Sequence, residues 1–107
     1  MEDTKLIDVK SVYDELQGDT SSVVIDVRSP EEFNGGHIEK STSLPLEQVE
    51  SGIESVVPDV NTQIYVFCRS GGRSSMAQMI LESKGYKNVK NIVGGILEWK
   101  DQGLPLA

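Results

Sequence analysis

The sequence predicts an α/β fold with a mainly parallel central sheet and helices on both faces. Short apolar runs rich in β-branched and aromatic residues (Val23-Val24-Ile25, Ile64-Tyr65-Val66-Phe67) read as buried strands, and Val89 to Val93 reads as a last strand. Stretches with helical spacing separate them, and strands alternating with helices build parallel sheets covered on both sides. A chain of 107 residues is long enough for one core and not for two, so residues 1–107 are expected to form one domain.

Leu6-Ile7 reads as a short first strand, and Asp8 as the N-cap of a helix carrying Val9, Val12, Tyr13 and Leu16, which Gly18 stops. The strand Val23-Val24-Ile25 runs into Asp26-Val27-Arg28. Ser29-Pro30-Glu31-Glu32 then supplies a capping serine, proline at the first helical position and acids in the first turn, with Asn34-Gly35-Gly36 ending that helix. His37-Ile38 leads to a short strand near Ser43-Leu44. Leu46 to about Val57 reads as a helix interrupted by Gly52 and ended by Pro58. A helix from Arg73 to Lys84 stops at Gly85, and Gly94-Gly95 opens a last helix with Ile96, Leu97 and Trp99, closed by Gly103. Trp99 and the Met76–Ile80 stripe read as core.

Composition narrows the function. A formal net charge of -7 argues against nucleic acid or an anionic membrane as a partner. No stretch approaches the roughly 18 apolar residues of a membrane span. The opening Met1-Glu2-Asp3-Thr4-Lys5 is acidic, unlike a secretory leader. One cysteine allows no internal disulfide, and with a single histidine it argues against a zinc site, so no metal and no cofactor are expected. These features point to a cytoplasmic monomer.

The reactive candidate is that lone thiol. Cys68 ends a strand, and Arg69, Ser70, Gly71, Gly72 and Arg73 lead into a helix. Thiolate is the reactive form, and three features here favour it. The helix N-terminus directs unpaired N–H groups at the loop. Gly71 and Gly72 let successive amides curl into an anion-binding nest. Arg69 and Arg73 add positive charge, Arg73 as the residue closing the loop and Arg69 as an outward-pointing cation. Ser70 is a spacer or a hydroxyl donor. A free cysteine is commonly a small buried hydrophobe, but its neighbours here favour a reactive thiol. Asp26 and Arg28 follow the second strand and are expected to form a supporting ion pair, whereas His37 reads as a turn residue. Phosphate-loop and dinucleotide patterns are absent.

Cys68-Arg69-Ser70-Gly71-Gly72-Arg73-Ser74 resembles the active-site loop of single-domain rhodaneses, the thiosulfate sulfurtransferases. Val24-Ile25-Asp26-Val27-Arg28-Ser29-Pro30-Glu31-Glu32-Phe33 with Gly36-His37-Ile38 is similar to their N-terminal signature. Gly94-Gly95-Ile96-Leu97-Glu98-Trp99 with Gly103-Leu104-Pro105-Leu106 is similar to the C-terminal one. The resemblance implies a rhodanese-like fold and a Cys68 persulfide. That persulfide would be loaded from a small anionic sulfur donor such as thiosulfate and emptied by a thiol or a protein acceptor. Under it, the backbone from Arg69 through Arg73 cradles the sulfur, and Asp26 and Arg28 are supporting. One departure stands out: Glu39-Lys40-Ser41 occupy the place of the family's usual Pro-Gly-Ala.

A phosphatase class on a similar fold has one more residue between cysteine and arginine. Only four separate Cys68 from Arg73, a ring suited to one sulfur atom rather than a tetrahedral oxyanion, and the loop holds no aspartate to act as general acid. The same fold could also serve as a sulfur relay dedicated to one protein partner, or as an inactive regulatory domain. The intact loop argues against an inactive domain.

Overall fold

A computed structural model describes residues 5–18 and 20–107. The acidic opening residues 1–4 and Asp19 lie outside the described residues. The strands are β1 (Leu6–Ile7), β2 (Val23–Asp26), β3 (Thr42–Ser43), β4 (Gln63–Phe67) and β5 (Asn88–Ile92). They form one five-stranded sheet in the order β1-β5-β4-β2-β3, and every pairing is parallel. The helices are α1 (Val9–Leu16), α2 (Pro30–Asn34), α3 (Leu46–Val56), α4 (Gly72–Ser83) and α5 (Gly95–Asp101).

Alternation along the strands sorts the core into two layers. On β4, Ile64 and Val66 pack with Val49 and Ile53 of α3 and Ala77 and Leu81 of α4, and Cys68 just beyond the strand joins that layer. Tyr65 and Phe67 point the other way, towards Val9, Val12 and Leu16 of α1 and Ile96 and Trp99 of α5. The sulfur therefore shares a face with α4. In the β2–β4 register Ile25 lies beside Val66 and Asp26 beside Phe67, so both strands deliver their functional candidates at their carboxyl ends.

Local signals place the helix starts. The Asp8 side chain accepts from the Ser11 amide at the head of α1. Ser29 and Glu32 form a complete capping box on α2, with Pro30 in its first turn.

Two expectations need correction. Helix α3 runs unbroken through Gly52, where an added Cβ would stand 3.1 Å from Leu44 Cδ1; the glycine gives close packing, not a break. Met76 is 58% exposed and so is not core; Met79 is exposed as well, and Ile80 only half-buried. The inward face of α4 belongs to Ser74, Ala77, Gln78 and Leu81. Small and polar residues hold it because Ser74 reaches into the reactive loop and Gln78 Nε2 donates to the Val89 carbonyl at 3.0 Å. That rotation turns the methionines outward. Trp99 does lie in the core, its Nε1 donating to the Pro105 carbonyl at 2.8 Å.

The turn after Ile38, where Glu39-Lys40-Ser41 depart from the family's usual residues, is a tight β-turn. Ser41 N donates to the Ile38 carbonyl at 3.0 Å, and Lys40 adopts φ 72°, the only positive φ of a non-glycine residue among the described residues. Its ammonium donates to the Leu16 carbonyl at 2.8 Å, satisfying a carbonyl in the last turn of α1.

Candidate active site

Cys68 sits at the bottom of the loop between β4 and α4, only 2% exposed. The Gly71 amide donates to Sγ at 3.1 Å, and the Ser74 hydroxyl lies 3.4 Å from it. Gly71 makes this possible with φ 137°, a region closed to most side chains, and α4 begins at the next residue. Burial pushes the thiol pKa up, but the Ser74 hydroxyl and the amides of Ser74, Gly71 and Ser70 outweigh it. The net result holds the pKa below the ordinary thiol value.

The loop is held from beneath by α5. Ile96 N donates to the Cys68 carbonyl at 3.0 Å and Leu97 N to the Arg69 carbonyl at 3.2 Å. Such contact needs a bare backbone: a Cβ on Gly95 would come within 2.5 Å of the Cys68 carbonyl oxygen and 2.6 Å of that of Arg69. The Gly94-Gly95 step thus serves the reactive loop as well as starting a helix.

The expected site residues come together around this loop with different roles. Arg69 and Ser70 face solvent at its rim, and Gly72 is open to solvent too. Arg73 turns its guanidinium onto Glu32, with Nη1 to Oε1 at 2.7 Å and Nη2 to Oε2 at 3.1 Å. The Arg73 bonds, aided by the Ser29 bonds of the capping box, overcome desolvation and hold the Glu32 pKa down at about 2. Asp26 and Arg28 form the expected ion pair, Nη2 to Oδ2 at 2.7 Å and Nε to Oδ1 at 3.0 Å, both residues buried. Arg28 also donates to the Gly36 carbonyl at 2.9 Å and lies over the Phe67 ring. This pair braces the β2 end and the glycine turn; among the described residues neither member hydrogen-bonds the sulfur.

His37 is tied elsewhere, stacked on Phe33 with ring centroids 3.6 Å apart and its Nδ1 2.9 Å from the Phe33 carbonyl. Its backbone exchanges two hydrogen bonds with Ala107. Among the described residues there is no group of three or more His, Cys, Asp or Glu suited to a metal ion, and no helix is long and apolar enough to cross a membrane.

Sequence reasoning passed over three contributors. Ser74 stood in the loop motif without a role, although it faces the sulfur. Glu32 was read only as a helix-start acid. Asn91 is a buried polar residue inside β5; that strand also carries Asn88 and Lys90, so nothing in its pattern singled Asn91 out.

The family model described as Rhodanese-like domain matches residues 4–102. A putative mitochondrial thiosulfate sulfurtransferase of Schizosaccharomyces pombe is 36% identical over 116 aligned positions, covering 95% of this chain and 82% of that protein. The thiosulfate sulfurtransferase PspE of Escherichia coli is 38% identical over 81, covering 76% of this chain and 74% of its own. Among solved structures, the rhodanese-like domain of the Anabaena protein Alr3790 superposes with a TM-score of 0.88 at 28% identity, covering 100% of this chain and 80% of that one.

Proposed function

The chain belongs to the rhodanese-like domain family, and from that premise we propose that residues 1–107 act as a single-domain sulfurtransferase working through a persulfide on Cys68. The observation that carries this reading is the lone sulfur receiving the Gly71 N–H and facing the Ser74 hydroxyl inside a loop with four residues between Cys68 and Arg73. That set of donors suits an anionic sulfur.

In the first step the Cys68 thiolate attacks the outer sulfur of thiosulfate. A bond forms between Sγ and that sulfur, the sulfur–sulfur bond of the donor breaks, and sulfite departs with the electron pair. In the second, a nucleophilic acceptor (cyanide, a thiol or a thiol-bearing protein) attacks the outer sulfur of the persulfide, and Sγ regains the pair as thiolate. Loop amides and the positive end of α4 stabilise the sulfur anion in both states. Arg69, exposed at the rim, attracts the anionic donor. Arg73 fixes the loop through Glu32 while keeping its charge near the sulfur. Gly71 and Gly72 admit the close backbone approach, and Ser70 lines the entrance. A cytoplasmic setting, consistent with a single unpaired cysteine, and a monomeric state belong to the same proposal.

Mass spectrometry of the intact protein tests it. Incubation with thiosulfate is expected to add one sulfur atom, which cyanide then removes, and Cys68→Ser is expected to gain nothing. A wild-type mass unchanged by thiosulfate rejects thiosulfate as donor; an equal gain in Cys68→Ser rejects the persulfide site.

A further inference from the structure

Ser74 and Asn91 are both buried, and their side chains form a chain of contacts ending on the reactive sulfur. Ser74 Oγ lies 3.4 Å from Cys68 Sγ, 2.7 Å from Asn91 Oδ1 and 3.1 Å from the Gly71 carbonyl oxygen. A hydroxyl has one proton, so it serves one of these three acceptors at a time. The Asn91 amide cannot turn over to change the arrangement. Its Nδ2 donates to the Gly71 carbonyl at 3.3 Å and to Ser75 Oγ at 2.9 Å. Flipped, it would set oxygen against the Gly71 carbonyl. Oδ1 therefore faces Ser74 permanently as an acceptor.

We propose that Asn91 is a positioning residue that sets the acidity of Cys68 by competing for the Ser74 hydroxyl proton. With the sulfur protonated, S–H points at Ser74 Oγ and the Ser74 O–H points at Asn91 Oδ1, satisfying every group in the chain. When the sulfur ionises, the hydroxyl swings to Sγ and Asn91 Oδ1, buried, loses its donor. An orphaned buried acceptor carries a free-energy penalty, so Asn91 restrains a thiol that the loop otherwise makes acidic. Nucleophilicity falls as a thiol becomes more acidic, and the restraint keeps the sulfur reactive as well as ionisable. The charged groups around the sulfur are Arg69 and Arg73 of the loop, Glu32 of α2, and Asp26 and Arg28 at the end of β2. From α5 come only the backbone N–H groups of Ile96 and Leu97. None of these changes when Asn91 is replaced by an uncharged residue.

The test is the thiol pKa, read from the ultraviolet absorbance of the thiolate against pH. The single cysteine is the one source of thiolate, and subtracting the titration of Cys68→Ser removes the contribution of the three tyrosines. Asn91→Leu, with the same branched heavy-atom skeleton and unable to accept, is expected to lower that pKa by roughly 0.5–1 unit, the worth of one net hydrogen bond. Asn91→Ala is expected to shift it the same way and guards against misfolding of the leucine variant. In a Ser74→Ala background the shift is expected to vanish. An unchanged or raised pKa in the folded variants overturns the proposal, because a residue that merely braces the loop would release the Gly71 N–H and raise it. A fall that persists without the Ser74 hydroxyl overturns it as well. The proposal deepens the role given to Cys68 above, but no sulfur donor enters the measurement, so the two readings fail separately.

Discussion

Two arginine–carboxylate pairs flank the reactive loop and differ in almost every physical respect. Asp26 and Arg28 are two residues apart, and their side chains are 0% and 6% exposed. Glu32 and Arg73 are 41 residues apart, and their side chains are 33% and 39% exposed. The first pair is sealed, and Arg28 is further fixed by the Gly36 carbonyl and the Phe67 ring. The second bridges α2 to the first turn of α4 through solvent-accessible space. Burial makes the first a structural keystone whose halves cannot be separated without stranding a charge. Exposure makes the second a lighter brace that solvent can partly replace.

The largest expected effect comes from breaking the sealed pair. Asp26→Ala leaves the Arg28 guanidinium buried without its anion and is expected to cost about 3–5 kcal/mol, seen as a lower midpoint in urea. A loss no greater than that of the Glu32 variant would erase the distinction between the pairs.

Glu32→Gln is expected to cost about 1 kcal/mol at neutral pH after solvent screening, and its pH dependence sharpens the comparison. Glu32 titrates near 2 in the folded protein against an ordinary value of 4.5. A depressed carboxylate pKa stabilises the fold above the unfolded value, so the advantage of wild type over Glu32→Gln is full above pH 4.5. It shrinks as pH falls and is gone below about 2. A difference between the two urea midpoints that does not change across this window would show that the charge of Glu32 contributes nothing.

The smallest effect separates local backbone strain from either pair. Lys40→Gly relieves a left-handed residue, worth about 1 kcal/mol, while losing the lysine bond to the Leu16 carbonyl. Because the two changes oppose, the stability read from the urea midpoint is expected to rise by less than about 1 kcal/mol. A clear loss of stability would show that the contact with α1 outweighs the strain.

The same division runs through what was legible before the fold was known. The Ser29-Pro30-Glu31-Glu32 start, the strand runs and the thiol-to-helix step were readable because each depends on neighbours within a few residues. Asp26 and Arg28 were paired correctly for that reason. The Met76–Ile80 stripe misled because hydrophobic spacing marks a face of a helix without saying which face a buried Ser74 will demand. Gly52 misled because a glycine that breaks an isolated helix also gives closest packing, and only the position of Leu44 distinguishes the two.

By itself the sequence determined the alternating architecture, the place of Cys68 at a strand end and the helix that starts after the loop. These follow from periodicity and backbone freedom, both of them local. Only the tertiary structure decided that Glu32 would take the Arg73 guanidinium, that Gly95 would lie bare beneath the Cys68 carbonyl, and that Asn91 would face Ser74. Each of those contacts joins residues that become neighbours only when the parallel strands set their register, and no spacing along the chain records it.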